Sequence, residues 1–385
     1  MRASFDTTIE LDSLIKAYAD YLTKEGIALE INQGMQKDNQ HLFQKGVIKR
    51  LPMVLPSKRI TYMLCGAPAT GKGELTKRLI TQQGLQLAET CRILPDEWHH
   101  LLKHTGHPTD LGSDSSYHAI LLREETLRIR HFIFSELMTR INHNELVPHC
   151  FMEVITPTEN RLDFATRKGG QVKCYLTSHH DPAHVVLGSL QRFEATGRLV
   201  RPLDIVRSIK ELADESANIV KLILDSKEGK AQLEVHDMTY LHEHGGVSAP
   251  TKPIYTVDSI HGKMVIYDLD NHVRFFSQKY IDLDAEDAEG LYLKTLKNNL
   301  KEIVLDFKKD CKEIIKNMIL VDSKIDLTKD PCIEKYVYAH FNSEGELVID
   351  NEAIYEKVQE SSEMTRLFLN TFTRAHFSDI KLRNS

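Results

Sequence analysis

The chain has 385 residues, 41% of them hydrophobic and 27% charged, with a formal net charge of −6. That length can bury a large core spread over two or three structural units. The composition is that of an ordinary globular protein, and the acidic balance argues against a dominant nucleic-acid footprint. No apolar stretch approaches a membrane span, and residues 1–6 carry no apolar signal-peptide core. The six cysteines (Cys65, Cys91, Cys150, Cys174, Cys311 and Cys332) are widely spaced, without a C-x-x-C pair. They read as buried free thiols in a reducing, cytoplasmic setting.

Residues 1–55 read as an N-terminal helical region. Leu11, Leu14, Ile15, Tyr18, Tyr21 and Leu22 form a helical stripe. The polar segment 34–46 reads as a second helix, and the two prolines of 51–56 mark a linker. From 56 to 240 strand-like runs alternate with helical patterns, which predicts an α/β fold with a parallel sheet flanked by helices. Strands are expected at 60–65, 91–94, 150–155, 172–177 and 219–224. Helices are expected at 73–83, 97–104, 117–142, 160–168, 183–195 and 203–216. Residues 241–385 read as an α+β, mainly helical C-terminal region. Within 230–282 the runs 263–267 and 273–276 suggest hairpins. One long amphipathic helix is expected over 285–318, its acidic start at 282–289 a solvated helix N-terminus, and a further helix near 351–373.

The strand at 60–65 runs straight into Gly66-Ala67-Pro68-Ala69-Thr70-Gly71-Lys72-Gly73, and Glu74 onward opens a helix. Strand, G-x-x-x-x-G-K loop and helix, in that order, make a phosphate-binding site. Gly66 and Gly71 let the loop turn its N–H groups inward, and the helix N-terminus adds partial positive charge. Lys72 supplies a mobile cation for the outer phosphates of ATP. Residues 66–74 are therefore the expected nucleotide-binding set. One position departs from the pattern: Gly73 stands where a Ser or Thr ordinarily holds Mg²⁺, and Glu74 follows. Magnesium would then be held through water and other carboxylates, or weakly.

Phosphoryl transfer needs a carboxylate for the acceptor hydroxyl and cations for the moving group, and ligands gather at the carboxyl ends of strands. Asp96 follows a short strand and opens a helix, where a helix-capping role competes with a catalytic one. Glu153 ends the 150–155 strand. Arg192, Arg198 and Arg201 lie in a segment between helices that can close over phosphates.

These pieces, in this order, resemble the zeta-toxin family of P-loop kinases. The resemblance covers about 57–240. It rests on the loop at 66–73, on Leu94-Pro95-Asp96-Glu97-Trp98 with His107-Pro108, and on Phe151-Met152-Glu153. Further along it rests on 188–194, on Gly197-Arg198-Leu199-Val200 and on Asp225-Ser226-Lys227-Glu228-Gly229. It implies that Lys72 is the Walker A lysine, Asp96 the catalytic base, and Arg192 and Arg198 the phosphate arginines, with Arg201 an alternative to Arg198. Glu153 matches the acid that the family follows with Gly-Thr; Val154-Ile155-Thr156 follows it here, so the pocket has changed. Glu136 matches a helix glutamate that contacts the sugar nucleotide, with one residue inserted. Family members phosphorylate a hydroxyl of UDP-N-acetylglucosamine from ATP with Mg²⁺, and some pair with an antitoxin.

The same core leaves other readings open: nucleotidyl transfer, a protein-directed kinase, or a silent nucleotide-binding interaction module. So does the setting, a toxin held by an antitoxin or a secreted effector acting on a host protein in a host cytosol. His179, His180 and His184 have one four-residue spacing that suits zinc, but Pro182 interrupts them and no third ligand is suitably spaced. No protein metal site is expected.

Overall fold

The computed structural model describes residues 51–94, 123–196, 200–239, 253–285, 290–291, 300–323 and 332–373. The helices expected at 9–22, 34–46 and 97–104, together with Asp96, Trp98 and Arg198, lie outside the described residues. Arg192 is described in its backbone alone. The described chain forms two compact units, one drawn from 51–55, 87–94, 123–151 and 190–196, the other from 56–86, 152–189 and 200–373. Element labels follow chain order across both.

In the smaller unit, β1 (Met53–Val54) pairs antiparallel with β4 (Val147–Val154), Met53 opposite Pro148. Strand β3 (Thr90–Ile93) also pairs with β4. Helix α2 (Arg123–Asn142) precedes β4 and buries Leu137 and Ile141.

The larger unit is built on a mixed sheet. Its described strands run in the order β2 (Ile60–Cys65), β5 (Gln171–Ser178), β6 (Lys230–Asp237), β7 (Pro253–Asp258), β8 (Lys263–Ile266), β9 (Met318–Val321), β10 (Val337–Phe341) and β11 (Leu347–Ile349). Strands β2, β5 and β6 are mutually parallel. Strand β7 reverses direction, β8 reverses it again and lies parallel to β9, and β10 and β11 are antiparallel. The carboxyl ends of β2, β5, β6, β8 and β9 therefore share one edge, where an open α/β sheet presents its ligands.

Alternation along the strands sets the core. Ala231, Leu233 and Val235 of β6 are buried at every second position, whereas the central strand β5 is buried on both faces from Cys174 to Ser178. Three helices pack on these central strands: α3 (Glu159–Thr166) on β5 and β6, α6 (Ser216–Leu224) on β6 and β7, and α7 (Leu269–Ser277) on β7. Beyond them an aromatic cluster joins α7, α8 (Leu300–Asp310), α10 (Glu363–Phe372) and β10, through Phe276, Phe307, Phe368, Phe372 and Phe341. The start of β2 is held by Arg59, fully buried, whose Nη2 donates to Phe164 O at 2.6 Å and Ala165 O at 2.8 Å in the last turn of α3. Its guanidinium lies 5.3 Å from the Phe164 ring. A buried cation on a helix carboxyl end is favourable there.

Several elements differ from the sequence expectation. The run 219–224 is helical, the end of α6, with Ile219, Val220 and Ile223 buried on one face; the strand comes later, at β6. Of the two expected hairpin runs, 263–266 is β8 but 273–276 lies in α7, capped by Asp268 Oδ1 accepting from Asn271 N at 3.0 Å. The helix expected over 285–318 has its described end at Asp310, with β9 already begun at Met318. The helix expected at 351–373 is two: α9 (Glu352–Gln359), then α10, newly capped by Ser362. The six cysteines are free thiols, five of them buried and Cys332 half-buried. Among the described residues no helix is long and apolar enough to cross a membrane.

Candidate nucleotide-binding site

The loop between β2 and α1 (Lys72–Gln83) has the conformation its glycines allow. Gly66 sits at φ 143° and Gly71 at φ 87°, both closed to most L-residues. Ala69 is also left-handed, at φ 62°, so the loop holds strain that its surroundings must maintain. Those surroundings are specific. Gly66 N donates to Ile155 O at 2.9 Å, just past the end of β4. Thr70 Oγ1 donates to Ala67 O at 2.8 Å and lies 2.7 Å from Thr177 Oγ1 on β5. The N–H groups of Ala69, Gly71 and Gly73 make no hydrogen bond among the described residues. Unfilled amides at a helix N-terminus are the donors an anion takes up.

Lys72 folds back over this nest, its Nζ 2.9 Å from Gly66 O and 2.8 Å from Ala67 O. Two carbonyl acceptors hold the ammonium at the mouth of the loop, from where it can exchange them for phosphate oxygens. Arg161, near the start of α3, lies beside the same site, and sequence reasoning passed it over. Its Nη1 donates to Thr156 O at 2.7 Å, in the turn whose Ile155 carbonyl receives Gly66 N. Burial holds its guanidinium below the usual arginine range, with the Cys65 sulfur opposing that shift. Arg161 has no carboxylate partner among the described residues. The signal available in the sequence was only an arginine eight positions past Glu153.

Magnesium fits less well. Gly73 offers no side-chain oxygen, and a β-carbon there would meet nothing within 4 Å. Glu74 turns its carboxylate toward Lys77, 3.5 Å away, and toward Arg78, whose guanidinium burial lowers and Glu74 raises. The loop thus lacks a direct metal ligand at this position.

The remaining expected site residues fall as follows. Glu153 is half-buried near the end of β4, two positions before Ile155. Glu136 lies on α2 and accepts from Arg140 Nε at 2.9 Å. Arg201, just before α5 (Pro202–Asp214), grips Asp204 with Nε at 2.7 Å and Nη2 at 3.1 Å. The histidine segment after β5 is a built turn. Asp181 Oδ1 caps α4 (Pro182–Thr196) by accepting from Ala183 N and His184 N. The His179 ring stacks on His184 with centroids 5.3 Å apart, and Gln278 donates to His179 O. Among the described residues no three His, Cys, Asp or Glu side chains converge as metal ligands.

No family model and no curated protein matches the chain. Among solved structures it is similar to a chain of the AvrRxo1-ORF1:AvrRxo1-ORF2 complex crystallised with ATP, at 13% identity and TM-score 0.43, covering 81% of this chain and 83% of that one. The same complex in native form gives 13% identity and TM-score 0.44, covering 84% of each chain. A chain of the PezAT chromosomal toxin–antitoxin system of Streptococcus pneumoniae gives 13% identity and TM-score 0.36, covering 74% of this chain and 95% of that one.

Proposed function

We propose that the chain is an ATP-dependent phosphotransferase of zeta-toxin type, acting on a hydroxyl of a small acceptor. The observation that carries this reading is the preformed phosphate loop, with three open amides at the head of α1 and Lys72 poised over them. Amides and ammonium aimed where charge develops lower the barrier to phosphoryl transfer without reorganising at the moment of reaction. In this reading Asp96 takes the proton of the acceptor hydroxyl. Arg192 and Arg198, with Arg201 as an alternative, neutralise the phosphates. Glu153 and Glu136 contact the acceptor, for which UDP-N-acetylglucosamine is the first candidate. The setting proposed is a cytosol, the chain's own or a host's, with an antitoxin or a host protein as partner.

Incubation with ATP, Mg²⁺ and UDP-N-acetylglucosamine, beside Lys72→Ala and Asp96→Asn, tests it by product mass. A gain of one phosphoryl group, made by the wild type alone, is expected. A gain of one nucleotidyl group would replace the reaction type. ATP bound without any product, across a range of acceptors, would favour a silent nucleotide-binding module, the alternative that Gly73 supports.

A further inference from the structure

Beneath the phosphate loop, three hydrogen-bond contacts are served by two hydroxyl protons. Thr70 Oγ1 is 2.8 Å from Ala67 O and 2.7 Å from Thr177 Oγ1, and Thr177 Oγ1 is 3.2 Å from Cys65 O. Each threonine has one proton to give. When Thr70 donates to Ala67 O, Thr177 can donate to Thr70 but then leaves Cys65 O. When Thr177 donates to Cys65 O, Thr70 can donate to Thr177 but then leaves Ala67 O. Both side chains are 1% exposed, so bulk water does not supply the missing donor.

Ala67 O is also one of the two carbonyls holding Lys72 Nζ, at 2.8 Å. The two hydroxyl arrangements therefore match the two positions of Lys72. With the ammonium on Ala67 O, the Thr70 proton is free to face Thr177. With the ammonium on a phosphate, Ala67 O keeps, among the described residues, only the long contact from Thr70 N at 3.4 Å, and a rotation of the Thr70 hydroxyl adds a short one while Thr177 donates to Cys65 O. No covalent bond is made or broken; two hydroxyls turn.

We infer that Thr177 is a positioning residue of the nucleotide site: its oxygen takes the Thr70 proton while Lys72 rests on Ala67 O, and frees it to turn to Ala67 O when the ammonium leaves for the phosphates. Its hydroxyl also lies directly under Gly66, where an added β-carbon would come within 2.1 Å of it, so it supports the loop's first turn as well. This inference rests on the nucleotide reading of the loop.

ATP binding by calorimetry on the full chain, with thermal unfolding in parallel, tests it on Thr177→Val, Thr177→Ser, Thr70→Ala and the Thr70→Ala/Thr177→Val pair. Thr177→Val is expected to bind ATP about ten-fold more weakly, the worth of one net hydrogen bond, with a fall in unfolding midpoint no larger than the loss of one buried hydrogen bond gives. Thr177→Ser, which keeps the hydroxyl, is expected to restore wild-type affinity. The double variant is expected to be no weaker than the weaker single one, because the two hydroxyls act as a unit. Wild-type affinity in Thr177→Val overturns the inference, as do equal losses in Val and Ser accompanied by a lower midpoint, or strictly additive losses in the pair. A wild type that binds no ATP overturns the nucleotide reading itself.

Discussion

A β-carbon built on Gly66 would stand 2.1 Å from the Thr177 hydroxyl and 2.9 Å from that of Thr70, on a backbone at φ 143°. Neither hydroxyl can retreat, since each is hydrogen-bonded where it is. Gly66→Ala should therefore rearrange the loop rather than displace a side chain. The expected outcome is loss of measurable ATP binding, with a fall in stability of about 1–3 kcal/mol from strain at one backbone position. Gly73→Ala is the control: its β-carbon meets nothing within 4 Å, and it should bind ATP as the wild type does. Equal behaviour of the two variants would show that the loop is not shaped by these contacts.

Lys72 and Asp96 separate binding from transfer. Lys72→Ala removes the cation now resting on Gly66 O and Ala67 O, and should lower kcat/KM by about a hundred-fold or more, in the range of a lost transition-state donor. Asp96→Asn should leave ATP affinity within about three-fold of wild type while abolishing transfer, because a missing base acts on the acceptor hydroxyl alone. Steady-state kinetics beside equilibrium ATP binding checks both. Full transfer by Asp96→Asn would remove Asp96 from the mechanism.

The loop was legible in the sequence because its strand, glycines, lysine and helix are contiguous, and each local signal agrees with the next. Its supports were not. Thr177 reaches Thr70 across 107 positions of sequence and Arg59 reaches Ala165 across 106, and nothing in one chain marks such pairs. The run 219–224 misled for a different reason. Ile219, Val220 and Ile223 are β-branched residues in a short apolar stretch, which periodicity alone does not assign to strand or helix. Strand β6 opens on Lys230 and alternates Gln232, Glu234 and His236 with Ala231, Leu233 and Val235, a period-2 signal that the more apolar run at 219–224 outweighed.

Arg161 is a partly desolvated cation beside the phosphate loop without a carboxylate among the described residues. A buried charge without a counterion is costly, and an anionic ligand would supply one. Arg161→Gln keeps a donor for Thr156 O but removes the charge. It should weaken binding of ATP or of an anionic acceptor by about ten- to a hundred-fold, the worth of a charged hydrogen bond, with little change in unfolding midpoint. A lower midpoint with ligand binding intact would assign Arg161 to holding the 155–161 turn instead.

His272 gives a pH dependence of stability. It lies in α7 with both ring nitrogens buried and without hydrogen-bond partners among the described residues. Its ring meets Tyr255 at 4.9 Å and Phe307 at 5.4 Å, edge to face. Burial pushes its pKa down to about 3 from an ordinary 6.5, and Tyr255, itself pushed up by burial, stays neutral beside it. The folded state therefore keeps His272 neutral while the unfolded chain takes up a proton below pH 6.5. Above that pH the residue contributes no slope; below it, stability falls by about 1.4 kcal/mol per pH unit until the folded-state pKa is reached. His272→Phe keeps the edge-to-face contacts and removes the proton site. Denaturant unfolding of both proteins should show the variant gaining about 2 kcal/mol on the wild type between pH 6.5 and pH 5, with no such gain between pH 8 and pH 7. Parallel curves across the acid range would mean that His272 is reached by water or by a proton acceptor in the folded protein.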